Sequence, residues 1–179
     1  MSADADVEPA VEVRDLRIAY GKKLIQDEVS FSISRGSIFI IMGGSGCGKS
    51  TLLKSMIGLL PPAAGQIRYG DTDYWQAAVE TQDAIRRRFG VLFQGSALFS
   101  TMTLMENLLM PMQLNGDPKK SLAEQRDRAE ELLGLVGLKQ AMDLLPNEIS
   151  GGMKKRAALA RALALDPEFL FLDEPSAGL

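Results

Sequence analysis

Residues 43 to 51 read GGSGCGKST, and no other stretch constrains the fold as much. A continuous apolar run, SIFIIM at 37–42, precedes it, and KSTLLKSMIGLL follows with apolar residues at helical spacing until Pro61 and Pro62 stop it. Gly43, Gly48, Lys49 and Ser50 satisfy G-x-x-x-x-G-K-[ST]. That spacing arises by chance in about 1% of chains of this length and ordinary composition, and the strand–loop–helix context lowers the chance further. Glycines at 43, 44, 46 and 48, with Ser45 between them, let backbone N–H groups turn inward around phosphate oxygens, and the helix start adds the positive end of its dipole. Lys49 can then reach the β- and γ-phosphates, and the Ser50 hydroxyl can ligate Mg²⁺. Cys47 fills a permissive loop position and reads as a small filler, not a nucleophile.

The rest of the chain supplies a mixed sheet. VEVRDLRIAY (11–20) and VSFSIS (29–34) alternate apolar and polar residues and read as antiparallel, half-buried strands. SIFIIM and EFLFLDEP (168–175) are continuous runs, as expected of strands buried on both faces. GQIRYG and FGVLFQ read as short strands, and AAVETQDAIRRR as a helix whose arginines form a solvated face. From residue 95 to about 162 the pattern is helical. SLAEQRDRAEELLGLVGL (121–138) places Leu122, Ala129, Leu132, Leu133 and Val136 near one face, and Ser121 with Glu124 has capping-box spacing. The formal net charge of −3 gives no basic field for nucleic acid, and no apolar run is long enough to span a bilayer. A single cysteine fits a reducing compartment, and the absence of histidine removes the commonest general base.

Asp173 and Glu174 stand at the C-terminal end of the FLFL run, the end at which open α/β sheets bind ligands. An aspartate there can hold Mg²⁺, usually through water, and a neighbouring glutamate can orient and polarise an attacking water. Gln94, at the end of VLFQ, can sit between the metal and that water. Taken alone, each residue reads as an ordinary solvated side chain; the phosphate loop upstream favours the functional reading.

Together these residues resemble the ATPase subunit of an ABC transporter, in order over nearly all of 11–179. GGSGCGKST is similar to Walker A, Gln94 to the Q-loop, ISGGM (149–153) to the family signature, FLFLDE to Walker B, and SAGL (176–179) to the start of the D-loop. The resemblance implies an α/β fold with a P-loop NTPase (RecA-like) core, an antiparallel β subdomain and an inserted α-helical subdomain. It implies ATP and Mg²⁺ as cofactors, Tyr20 stacked on adenine, Thr51 beside the phosphates, and Ser50, Gln94 and Asp173 around the metal. Ser150, Gly151 and Gly152 then bind the γ-phosphate of ATP held by a second subunit in a head-to-tail dimer. Ser150 would also cap the helix that follows, while the glycines admit close backbone approach. Lys154 and Lys155 read as solvated.

Met153, where many members carry glutamine, and VLFQGSALFSTMTLMENLLMPM resemble the ATPases of Mce-type lipid transporters, the maintenance-of-lipid-asymmetry group. This implies phospholipid or related cargo, a position on the cytoplasmic face of the inner membrane, and an Mce-type substrate-binding partner. Met102, Met105, Met110 and Met112 suit an adaptable groove, and residues 95–112 are expected to meet the coupling helix of a membrane subunit; the alternative is packing within the helical subdomain. The expected organisation is a flexible tail at 1–10, β and nucleotide-binding core at 11–94, helical signature subdomain at 95–162, and a return to the core at 163–179. The family continues past this point to a strand-end histidine, so the resemblance implies a C-terminally truncated cassette with negligible ATPase activity alone. An ABC ATPase for a different substrate and a non-hydrolysing nucleotide-binding module are the alternatives. A chromosome or repair ATPase is disfavoured, because no sustained heptads separate the loop from the signature.

Overall fold

The computed structural model describes residues 9–175, so the N-terminal tail and SAGL at 176–179 lie outside the described residues. The chain divides into two compact units, Met1–Arg86 and Arg87–Leu179.

In the first unit, β1 (Val11–Tyr20) pairs antiparallel with β2 (Lys23–Ile33) and with β3 (Ala64–Tyr69), and β3 pairs with β4 (Thr72–Asp73). The expected alternation is present: Val11, Val13, Leu16 and Ile18 are buried on β1, while Val29, Phe31 and Ile33 are half-buried on β2. Three register shifts interrupt the hairpin; the first two offset each other, and a third lies between Ile18 and Ala19. One extra residue on β1 gives Asp15 a positive φ of 47°, and one on β2 gives Glu28 a φ of 52°, which returns the register. Ser30 Oγ accepts from the Asp15 N–H at 2.8 Å, which satisfies the first bulge. Helix α1 (Lys49–Met56) and helix α2 (Val79–Arg86) complete the unit, with Leu52, Met56, Ile67, Tyr69, Tyr74 and Ile85 in its core.

One expectation fails here. Residues 37–42 form no strand ladder, and Ile38, Ile40 and Met42 are 93%, 73% and 87% exposed. An apolar run is buried on both faces only when strands flank it, and none of the described residues pairs with it. Phe39 stacks on Phe31 with ring centroids 4.9 Å apart, and Ser37 bonds back to the Ser34 carbonyl.

The second unit holds β5 (Phe89–Leu92), α3 (Leu104–Asn115), α4 (Leu122–Leu135), α5 (Gly151–Ala162) and β6 (Phe169–Leu172), with β5 and β6 parallel and in register from Phe89↔Phe169 to Leu92↔Leu172. The three helices surround Leu104, Leu108, Met112, Leu132, Leu133, Leu138, Ala157 and Ala160. Each fully buried leucine contributes about 1.5–3 kcal/mol relative to exposure. Thr103 with Glu106 and Ser121 with Glu124 both form capping boxes, the second as expected from sequence. Leu122 departs from expectation: at the first turn of α4 it is 60% exposed, and only Ala129, Leu132 and Leu133 of that helix are buried. Strand β6 was expected to be buried on both faces, but it pairs along one edge only, and Leu170 and Leu172 remain exposed. The expected solvated face at 86–88 is also corrected. Arg86 bonds Asp83 and the Tyr74 hydroxyl, and Arg88 pairs with Glu168 at 2.6 Å and lies over the Phe169 ring; Arg87 is exposed.

Candidate functional site

The phosphate loop belongs to the first unit. Gly46 and Gly48 have φ of 79° and 96°, and the left-handed backbone at Gly48 turns the chain into α1. A Cβ at Gly48 would also lie 2.9 Å from the Ile25 side chain and 3.1 Å from Gln26, so glycine is required there twice over. Gln26 Nε2 donates to the Cys47 carbonyl at 3.3 Å, tying the loop to β2. Lys49 Nζ donates to the Gly43 and Gly44 carbonyls at 2.7 and 2.9 Å, so the ammonium lies folded over the loop. Gly48 has no side chain with which to cap α1, and no acidic residue sits in its first turn. The N-terminal end of that helix, the exposed loop and the lysine above it fit a polyphosphate. Tyr20 is 48% exposed at the end of β1, in the hairpin whose second strand carries Gln26. Cys47 is exposed, and Ser50 and Thr51 are half-buried at the start of α1.

The carboxylates belong to the second unit. The Asp173 N–H donates to the Leu92 carbonyl at 2.9 Å, which carries the β5–β6 pairing one step past β6. The next residue, Glu174, has a φ of 49°, a left-handed conformation rare for a non-glycine residue. Gln94 Nε2 donates to Glu174 Oε2 at 2.8 Å. The structure thus brings together the glutamine and glutamate singled out from sequence, 80 residues apart in the chain. Among the described residues no group of three or more His, Cys, Asp or Glu side chains could hold a metal. A Mg²⁺ ion that takes several ligands from phosphate and water needs only one or two protein carboxylates, so a single carboxylate such as Asp173 fits that chemistry.

The expected helix cap at the signature is present. Ser150 is the N-cap of α5, and its hydroxyl accepts from the Met153 N–H at 3.3 Å. A Cβ at Gly151 would meet nothing within 4 Å. Lys155 was read as solvated and is buried, 6% exposed, with its Nζ donating to the Glu174 carbonyl at 2.6 Å. One helical turn from the signature, it lies on the inner face of α5, where its long side chain reaches the main chain just past β6.

Sequence reasoning missed a second network. Asn107 is fully buried, and Arg161 donates to its Oδ1 at 3.4 Å and to the Ser96 carbonyl at 3.2 Å. The guanidinium lies 5.7 Å from the Phe99 ring centroid, and burial holds its pKa below the ordinary arginine value. These contacts pin the segment that follows Gln94. The only signal in the sequence was an asparagine among apolar residues of α3. Of the clustered methionines, Met105 and Met112 are buried in the helical core, which corrects their assignment to an open groove; Met102 and Met110 are half-buried.

A family model described as ABC transporter matches residues 26–177. The chain is 45% identical over 170 residues to the probable ribonucleotide transport ATP-binding protein mkl of Mycobacterium leprae, covering 95% of this chain and 48% of that protein. It is 39% identical over 168 residues to the intermembrane phospholipid transport system ATP-binding protein MlaF of Haemophilus influenzae, covering 94% of this chain and 63% of that protein. The chain thus spans about half the length of the mycobacterial relative. Among solved structures, the dimeric post-hydrolysis state of the ATP-binding cassette MJ0796 bound to ADP and Pi superposes with a TM-score of 0.87 at 31% identity, over 94% of this chain and 75% of that one. A P-loop, a Gln–Glu pair beside parallel strands and a serine-capped signature helix, in this order and in this fold, have one common source: the chain belongs to the ABC transporter ATP-binding family.

Proposed function

We propose that this chain carries the ATP-binding and ATP-hydrolysing machinery of an ABC transporter that moves phospholipid or related hydrophobic cargo in the bacterial envelope. The observation that carries the hydrolytic reading is the 2.8 Å hydrogen bond between Gln94 and Glu174 at the C-terminal end of paired parallel strands. It places a carboxylate acceptor and an amide side by side, the pairing needed to hold one water and accept its proton. The P-loop at 43–51, with Lys49, Ser50 and Thr51, binds the triphosphate, and Tyr20 stacks on the base. Mg²⁺, when bound, neutralises charge on the phosphates; Ser50, Gln94 and Asp173 would hold it.

Ser150, Gly151 and Gly152 offer an anion receptor with open space in front of Gly151. In this reading the receptor serves ATP held by a second copy in a head-to-tail dimer, as part of a helical signature subdomain over 95–162. The membrane subunit docks through the 95–112 region, whose first part is held by Asn107 and Arg161, at the cytoplasmic face of the inner membrane, together with an Mce-type binding protein. The name of MlaF supports the lipid cargo, and the name of mkl supports a second reading, ribonucleotide transport.

The test is phosphate release by the assembly purified with its membrane subunit. Glu174→Gln is expected to bind ATP with unchanged affinity and to lose turnover. Normal turnover by that variant removes the assignment of Glu174 as the group that activates water.

A further inference from the structure

We propose that Lys155 is a positioning residue for hydrolysis, fixing the backbone at Glu174 and so the direction of its carboxylate. The inference rests on the hydrolytic reading of Glu174. Three observations combine. Lys155 is 6% exposed, although a lysine is almost never buried without a reason. Its Nζ is 2.6 Å from the Glu174 carbonyl oxygen, a charge-assisted contact to main chain. That carbonyl belongs to a residue with φ of 49°, a conformation that costs free energy at a non-glycine position and persists only when its surroundings hold it.

The two ends of Glu174 therefore have different keepers. Gln94 holds the side chain at Oε2, and Lys155 holds the carbonyl. The hydrogen bond that the Gln94 amide donates to the carboxylate can be exchanged for one from water, whereas the ammonium acts on main chain and leaves the carboxylate free to work. Lys155 sits on α5, whose first residues follow the Ser150 cap. The helix that presents the signature to a second subunit thereby also sets the geometry of this chain's own glutamate. A shift of α5 on dimer closure would be transmitted to the carboxylate through one side chain.

The experiment compares Lys155→Met, which keeps length and apolar stem, with Lys155→Arg, which keeps the charge and donors. Two measurements are made: ATP turnover of the assembly with its membrane subunit, and amide hydrogen exchange at 172–175 in the nucleotide-free chain. Lys155→Met is expected to lower kcat about 10- to 100-fold, leave ATP affinity within about twofold, and speed exchange at 172–175. Lys155→Arg is expected to recover most of both. In the Glu174→Gln background Lys155→Met is expected to add no further loss, because a residue acting through Glu174 has nothing left to position.

Turnover of Lys155→Met within about twofold of the parent, or a loss that multiplies fully with that of Glu174→Gln, overturns the proposal. Exchange at 172–175 unchanged by Lys155→Met overturns it as well. If Glu174→Gln itself turns over normally, the reading of Glu174 fails first, and that outcome is separate from the others.

Discussion

Asn107 and Phe99 exchange hydrogen bonds in both directions: Asn107 Oδ1 accepts the Phe99 N–H at 2.8 Å, and Asn107 Nδ2 donates to the Phe99 carbonyl at 3.1 Å. The same amide nitrogen is also within reach of the Met102 and Thr103 carbonyls, at 3.0 and 2.9 Å. One buried side chain thus does for an irregular loop what a partner strand does for an edge. Asn107→Ala leaves several of these groups unsatisfied and is expected to cost about 2 kcal/mol or more. Chemical denaturation measures the loss. The Asn107→Ala variant is also expected to expose 96–103 to protease before the rest of the second unit opens; equal protection of that segment in variant and parent counts against its role as the loop's anchor.

Lys49 has two carbonyl partners within the phosphate loop, and a bound polyphosphate would have to draw its ammonium away from them. The exchange favours the nucleotide because a bond to an anion is stronger than one to a neutral carbonyl. Lys49→Ala is expected to weaken ATP binding by about 100-fold, read by titration with a fluorescent ATP analogue, with little change in the thermal midpoint. An affinity within threefold of the parent would show that the lysine stays on the loop and takes no part in binding.

The exposed apolar run at 38–42 has a physical consequence. Ile38, Ile40 and Met42 present exposed apolar side chains on a segment that pairs with no strand among the described residues, the combination that favours edge-to-edge association. Ile40→Lys is expected to reduce self-association of the chain in sedimentation velocity at micromolar concentration, without lowering the denaturation midpoint. If the parent chain stays monodisperse over that range, the run is covered by something other than self-association.

That same run shows where sequence was a good guide and where it was not. Local rules read well: the phosphate loop, the Ser121–Glu124 box, the Ser150 cap and the alternation on β1 and β2 each depend on residues within a few positions of one another. The strand character of 37–42 depends on partners, and partners are not written in the run itself. Lys155 and Asn107 escaped for a related reason. A lysine beside another lysine and an asparagine in a helix look solvated until distant carbonyls, at Glu174 and Phe99, are placed against them. Gln94 and Glu174 were found because each ends a strand, a property visible locally, although their contact is not.

The cap of α4 predicts an acid response. Glu124 accepts from the Ser121 hydroxyl and N–H, both at 2.7 Å, and these bonds hold its carboxyl below the ordinary glutamate pKa. A folded pKa lower than the unfolded one contributes stability that is complete above the unfolded value and is lost as pH falls through the folded value. The parent is therefore expected to lose part of its stability as pH drops below the ordinary carboxylate range. Ser121→Ala is expected to be less stable by about 1 kcal/mol at neutral pH, and Glu124→Gln to flatten the acid limb. Parallel acid limbs for Glu124→Gln and the parent would assign the acid response to other carboxylates.

Gly151 separates folding from function. It occupies the first turn of α5 without a positive φ, and a Cβ there would meet no other part of the fold within 4 Å. Nothing in the fold of one chain asks for glycine, which costs a helix up to about 1 kcal/mol relative to alanine. An acidic side chain at this end of the helix would moreover favour the dipole. Gly151→Asp is therefore expected to raise the thermal midpoint by a few degrees, consistent with a gain of about 0.5–1 kcal/mol. If the space in front of Gly151 is filled by the γ-phosphate of ATP on a second subunit, the same substitution puts a carboxylate against a phosphate. ATP-dependent dimerisation, followed by sedimentation velocity in the Glu174→Gln background, is then expected to disappear. A variant that is both more stable and dimerises normally would remove the signature glycine from the nucleotide interface; a variant that is less stable would show that the glycine serves the helix after all.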